Sequence, residues 1–263
     1  MPEGDTVKRV ASRLDEALGR AELVHADLRW PGISTASLTG ATTLEVLARG
    51  KHILHRLDSG WTIHSHLRMD GMWRVRTTSG FGDLTNRAIR AVVASPTWTA
   101  VGWDLGMLDL VRTSSEDTVV GHLGPDLLGD DWDADLAAAN LASDESAIGA
   151  ALLNQTNLAG IGTMWCAETL FLEGVNPWTP ASEVGADKLG RIVARAHRLL
   201  NINVAHAVQS STGIRRSGQE MYAHGRRRRP CRRCGTPIRM EWIGPPTRQR
   251  TMYFCPTCQH VDA

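Results

Sequence analysis

Three groups of residues in this 263-residue chain have types and spacings that could do chemistry. The first is Pro2-Glu3-Gly4-Asp5. Removal of Met1 would leave Pro2 as a secondary amine beside a carboxylate. An N-terminal amine has a pKa of about 8, well below that of lysine. A useful fraction is therefore unprotonated near neutrality and can attack a sugar aldehyde carbon to form a Schiff base. Taken alone, these residues are better read as the plain start of a chain ahead of a helix.

The second group is Cys231-x-x-Cys234, twenty intervening residues, then Cys255-x-x-Cys258. Two such pairs form the tetrahedral thiolate set of a structural Zn2+, with no position left open for catalysis. Two disulfides are the alternative reading, disfavoured because the sequence shows no signal-peptide pattern. Between the pairs, Ile238, Met240 and Trp242, then Thr251 and Tyr253, alternate as strands do, and Gly244-Pro245-Pro246 supplies a turn. A zinc-bound β-hairpin is expected. The remaining cysteine, Cys166, lies in a helical pattern and is expected to be buried as a small apolar residue.

The third group is basic. Net charge is only +1, yet Arg215, Arg216, Arg226 to Arg229, Arg232, Arg233, Arg239, Arg248 and Arg250 crowd residues 215–250. Opposed by only Glu220 and Glu241, they point to a polyanion. His64 and His66 stand two apart, but no third metal ligand is evident beside them.

The elements that must carry these groups are legible. Val7, Val10, Ala11, Leu14 and Leu18 fall at helical spacing, with Asp5 a candidate cap. From about Glu22 to Arg112, short apolar runs such as 44–47, 52–57, 61–64 and 72–75 alternate with Gly, Asp and Ser, which predicts an antiparallel β-sandwich or barrel. Residues 136–200 are rich in Ala and Leu at helical periods. Helices over 148–153 and 163–172 are expected either side of Asn157 to Gly162. The Gly160-x-Gly162 turn opening a helix could be a phosphate seat or a plain helix hairpin.

These motifs, in this order, resemble the Fpg/Nei family of DNA glycosylases, and the likeness runs over nearly the whole chain. Pro2-Glu3-Gly4 resembles the family's catalytic start. Arg49-Gly50-Lys51 resembles its lysine hairpin. His64 to Val75, ending Gly-Met-Trp-Arg-Val, resembles the loop that enters DNA and is closer to the endonuclease VIII branch. Leu123 to Asp126 resembles the start of the second domain. Leu153 to Thr163 resembles the helix–two-turn–helix, and Arg250 to His260 the terminal zinc finger.

The resemblance implies an α+β chain in two domains. An N-terminal antiparallel β-sandwich with an N-terminal helix (1–113) and a junction (114–133) precede a helix–two-turn–helix domain (134–225) and a zinc hairpin (226–263). It implies a bifunctional DNA glycosylase and AP lyase of base excision repair. Pro2 attacks C1′, Glu3 handles protons, Lys51 lies near phosphate and leaving group, and Arg250 grips a phosphate. Met69 would fill the gap left by a flipped base. Arg68, His66, His122, Asn157 and Thr163 would contact DNA. One Zn2+ is the expected cofactor, damaged DNA the partner, and the protein is expected to be a monomer.

The chain departs from the family at several positions. Thr6 stands where Glu is frequent, Thr163 where Asn is, and His122 where Arg occurs. Asp70 replaces an aromatic in the wedge loop, where a carboxylate repels phosphate. The short polar segment 209–225 and the Gly-Met-Trp-Arg-Val run favour oxidised pyrimidines over 8-oxoguanine. A purine-lesion glycosylase and a non-catalytic DNA-binding relative are the rival readings. No run of 18 apolar residues or signal peptide is present, so a cytoplasmic, nucleoid-associated location and no membrane partner are expected.

Overall fold

The computed structural model describes residues 2–34, 36–80 and 84–260. The chain divides into two compact units, 1–122 and 123–263.

The first unit begins with helix α1 (Gly4–Leu18), whose Val7, Ala11, Leu14 and Leu18 are buried. Eight strands follow: β1 (His25–Leu28), β2 (Thr43–Arg49), β3 (His52–Leu57), β4 (Trp61–His66), β5 (Met72–Thr77), β6 (Ile89–Ala94), β7 (Trp98–Trp103) and β8 (Met107–Arg112). They form two antiparallel sheets, ordered β1-β6-β7-β5 and β2-β3-β4-β8. This is the sandwich that the short alternating runs predict. Its core joins the inward side of α1 to Leu23, Val46, Ile53, Leu57, Ile63, Val93, Ala100 and Leu108. Helix α1 is capped by Glu3 in extended backbone, whereas Asp5 lies inside the first turn and is fully buried, so the predicted Asp5 cap is corrected. A four-residue helix, α2 (Asp117–Val120), ends the unit.

The second unit is helical: α3 (Ala134–Ala142), α4 (Ile148–Leu153), α5 (Thr163–Glu173) and α6 (Ala186–Val204). Helix α5 has buried residues all round, from Thr163 to Phe171, as expected of a helix at the centre of a bundle. Cys166 is buried there among Trp165, Ala167 and Leu170. Strands β9 (Arg239–Ile243) and β10 (Arg250–Phe254) form the terminal hairpin. Its inward face is carried by Ile243, Met252 and Phe254, and Trp242 is exposed. No helix among the described residues is long and apolar enough to cross a membrane.

Candidate active site and nucleic-acid interface

Helix α1 and strand β2 position the first group. Arg20 donates its N–H to the Thr43 carbonyl at 2.8 Å, and Val46 donates its N–H to Asp15 Oδ1 at 2.7 Å. The strand therefore runs antiparallel to the helix. From Asp15 back to Gly4 the helix spans about 16 Å. From Val46 to Arg49 the strand advances by about 10 Å before Gly50 and Lys51 reverse it. The Arg49–His52 turn thus lies toward the N-terminal end of the helix. Glu3 caps that turn and is fully buried, while Pro2 is half-buried. The helix dipole favours negative charge at the Glu3 position. Gly50 adopts φ +58°, the left-handed conformation that closes the hairpin and that glycine enters without strain. Lys51 is half-buried beside it, and its charge depresses the basicity of His66.

The register β3–β4–β8 assembles a cluster of histidines. His52 faces His66, and His64 faces Asp109, on the same side of the sheet. His64 Nδ1 lies 2.9 Å from Asp109 Oδ2, and His64 Nε2 lies 2.7 Å from His52 Nδ1. The His52 ring stacks on His64 and meets His66 and His122 edge-on. Burial, then the neighbouring His66, pushes His52 down to about 3. Burial, then Arg68 and Lys51, pushes His66 down to about 4. Burial also lowers His64 against the pull of Asp109. These rings are neutral at pH 7, so the cluster carries no positive charge of its own. His122 is exposed.

The loop after β4 is the wedge candidate. Met69 is 59% exposed, a large apolar side chain held out in solvent. Arg68 has φ +54°, an unusual conformation for a side-chain-bearing residue, fixed by its N–H donating to His66 Nδ1 at 2.9 Å. Its aliphatic stem lies over Gly106, where an added Cβ would fall 2.0 Å from Arg68 Cγ. Gly106 is thus a glycine because Arg68 occupies the space.

In the second unit the four cysteines converge. The sulfurs of Cys231, Cys234, Cys255 and Cys258 all lie within 4.8 Å of one another. Cys231 to Cys258 is 3.8 Å and Cys234 to Cys255 is 3.4 Å, well beyond the roughly 2.05 Å of a disulfide. Four sulfurs about 2.3 Å from a central tetrahedral ion would be about 3.8 Å apart. Arg233 and Cys258 point their N–H groups at Cys231 Sγ and Cys255 Sγ, each at 3.4 Å. This is a metal-binding cluster of structural type.

The hairpin that carries Arg250 is docked firmly. Arg250 pairs with Ile243 across the strands. Ile243 seats on Gly149 of α4, where a Cβ would approach it to 2.7 Å. Arg233 donates to the Phe171 and Leu172 carbonyls at 3.0 and 3.1 Å, capping the end of α5. Gln259 donates to the Val175 carbonyl at 2.9 Å. Arg250 itself is exposed.

Other predicted contacts are placed differently. Asn157 is buried, and its Nδ2 donates to Asp144 Oδ2 at 2.7 Å and the Ala151 carbonyl at 3.0 Å. That amide group holds the helix–turn–helix together instead of facing a ligand. Thr163 is buried at the start of α5. The Gly160 N–H donates to Gln155 Oε1, and residues 157–171 are all buried, so the glycine turn is packed inward. Part of the arginine run is structural as well. Arg226 donates to the Tyr222 and Pro230 carbonyls and Arg232 to those of Met221 and Gly218. Arg216, Arg227, Arg228, Arg229, Arg239, Arg248 and Arg250 remain exposed.

Sequence reasoning missed Glu168. It is fully buried in α5, and its carboxylate accepts the N–H groups of Tyr222, Ala223 and His224 at 2.8, 2.8 and 2.7 Å and the Ser211 hydroxyl. One side chain thereby pins both ends of the 211–224 loop. The signal was available: a lone acid in the apolar run Trp165 to Leu170.

Comparison with known proteins agrees with these features. Residues 1–105 match the formamidopyrimidine-DNA glycosylase N-terminal domain, and residues 123–215 match the formamidopyrimidine-DNA glycosylase H2TH domain. The chain belongs to the Fpg/Nei family. It is 47% identical over 265 residues to a probable endonuclease 8 2 of Streptomyces coelicolor, covering 98% of this chain and 94% of that one. It is 40% identical to the DNA-(apurinic or apyrimidinic site) lyase Nei2 of Mycolicibacterium smegmatis, over 98% and 99% of the two chains. The fold matches that of the Lactococcus lactis formamidopyrimidine-DNA glycosylase bound to DNA containing an AP site. There the TM-score is 0.82 at 21% identity, over 98% of this chain and 100% of that one.

Proposed function

We propose that this chain is a bifunctional DNA glycosylase and AP lyase of base excision repair, with the Pro2 nitrogen, freed by loss of Met1, as nucleophile. The observation that carries this reading is Pro2-Glu3 at the head of α1, with Glu3 buried at its N-cap, in a chain 47% identical to an endonuclease 8 relative. The nitrogen lone pair attacks C1′, and the damaged base departs with the glycosidic electron pair. Glu3 delivers the proton that opens the sugar ring at O4′. The resulting iminium acidifies C2′, and loss of a C2′ proton expels the 3′ phosphate; the conjugated iminium so formed acidifies C4′, and loss of the C4′ proton expels the 5′ phosphate.

Lys51 neutralises a phosphate beside the reacting sugar. Met69, apolar and exposed, fills the stack from which the base is flipped. Arg250 grips a phosphate through its guanidinium fork. The four cysteines would hold one Zn2+, which supplies a rigid hairpin and no bond-breaking chemistry. The short polar segment 209–225 favours oxidised pyrimidines as substrates.

The test is excision from thymine-glycol and 8-oxoguanine:C duplexes, with borohydride added to trap the Schiff base. Faster excision of thymine glycol, with a trapped complex, is expected. Binding without trapping or cleavage on either duplex would leave a non-catalytic DNA-binding protein.

A further inference from the structure

The hydrogen-bond chain on the outer side of the β3–β4–β8 sheet has a determined direction. A carboxylate only accepts, so the proton between Asp109 and His64 lies on His64 Nδ1. His64 is neutral, so its Nε2 carries a lone pair and accepts from His52 Nδ1. His52 is neutral too, which leaves its own Nε2 as a lone pair. Across the edge-on contact, His66 Nδ1 accepts from the Arg68 N–H, so its proton lies on Nε2. The charged and titratable groups around the chain are Lys51 before β3, Glu116 and His122 near α2, Asp109 on β8, and Arg68 after β4.

His52 follows Lys51 directly in the chain, and His66 begins the segment carrying Arg68 and Met69. The core side of the same strands holds Ile53, Ile63 and Leu108, so packing already fixes the sheet itself. The histidines add an orientation that apolar packing cannot give. They tie the lysine turn to the middle strand and to β8 through bonds that work in only one tautomeric order.

We infer that His52 is a positioning residue for Lys51, held through the ordered chain Asp109–His64–His52. This rests on the catalytic reading given above for Lys51. The relay resembles in logic any carboxylate that fixes a histidine's tautomer through Nδ1, but here its end point is a backbone turn.

The experiment uses the full chain with an AP-site duplex. Long-range nitrogen–proton spectra should show Nδ1–H tautomers at His52 and His64. His52→Phe keeps a ring but removes the donor. Asp109→Asn, at a side chain 41% exposed, allows the amide to donate and reverse the tautomers. Both should lower the single-turnover cleavage rate about ten- to hundredfold, with duplex Kd changed less than about threefold. His52→Asn, whose amide can donate in place of Nδ1, should return the rate to within about threefold of the unaltered chain. Nε2–H tautomers at His52 or His64, or rates for both His52→Phe and Asp109→Asn within about threefold of the unaltered chain, would overturn the inference. If the unaltered chain neither cleaves nor is trapped by borohydride, the catalytic reading fails and the positioning role fails with it. The spectra then decide only whether the ordered chain exists.

Discussion

Removing the Glu168 carboxylate by Glu168→Ala should destabilise the second unit more than any surface change in it. Four donors converge on this one buried group, three of them backbone N–H groups within 2.8 Å. A buried donor left without a partner costs about 1–3 kcal/mol. Ala223 is fully buried and bears that cost in full, whereas Tyr222 and His224 are half-buried and can recruit water. Adding the smaller losses at those two gives about 3–5 kcal/mol in all. At about 3–4 °C per kcal/mol for a unit of this size, its thermal transition should fall by about 10–20 °C. Scanning calorimetry of the full chain measures this, and proteolysis should begin within residues 205–225. Glu168→Gln keeps one accepting oxygen and should fall between. A shift below about 3 °C for Glu168→Ala would refute the view that this carboxylate holds the loop.

Other outcomes follow from the same geometry. Arg250→Ala should reduce the slope of log K against log salt by about 1. Arg233→Ala, which removes a helix cap, should lower stability and leave that slope unchanged; duplex titrations at several salt concentrations separate the two. His55 is buried against Thr43 Oγ1 and pushed down to about 4 by burial. The unfolded chain therefore binds the extra proton first, and the contribution of His55 to stability should be full well above pH 6.5 and fall by about 3 kcal/mol on acidification to pH 4, in the difference between the unaltered chain and His55→Gln. Denaturant unfolding across that range checks it; a flat profile in which His55→Gln changes nothing would contradict it. Native mass spectrometry should find one zinc per chain, and its removal by chelator should abolish cleavage while leaving the first unit folded.

The parts of the site legible from sequence are those encoded locally. Cysteine spacing announces the metal cluster because both ligands of each pair sit on one tight turn. The alternation of residues 52–57 and 61–64 announces strands, and the heptad-like spacing from Val7 to Leu18 announces α1. Pro2, Lys51 and Arg250 gain meaning only through family resemblance, since each residue type is common at a surface. What stayed hidden depends on register. His64 and His66 look like an incomplete pair until β3 brings His52 and β8 brings Asp109 to the same side of the sheet. The arginine run reads as one basic patch, yet Arg226 and Arg232 turn back to carbonyls of an irregular backbone and Arg233 to those at the end of α5. Asn157 reads as a DNA contact through the resemblance, while the Asp144 that accepts from its amide lies thirteen residues away.

The nucleophile is the central claim, and its most direct test is the mass of the trapped species. The full chain is incubated with an AP-site duplex and borohydride, digested, and the N-terminal peptide sequenced by mass spectrometry. The account predicts a peptide that begins at Pro2, lacks Met1, and carries the reduced sugar on the proline nitrogen. A sugar adduct on Lys51 or another lysine, or an adduct formed while Met1 remains attached, would contradict it.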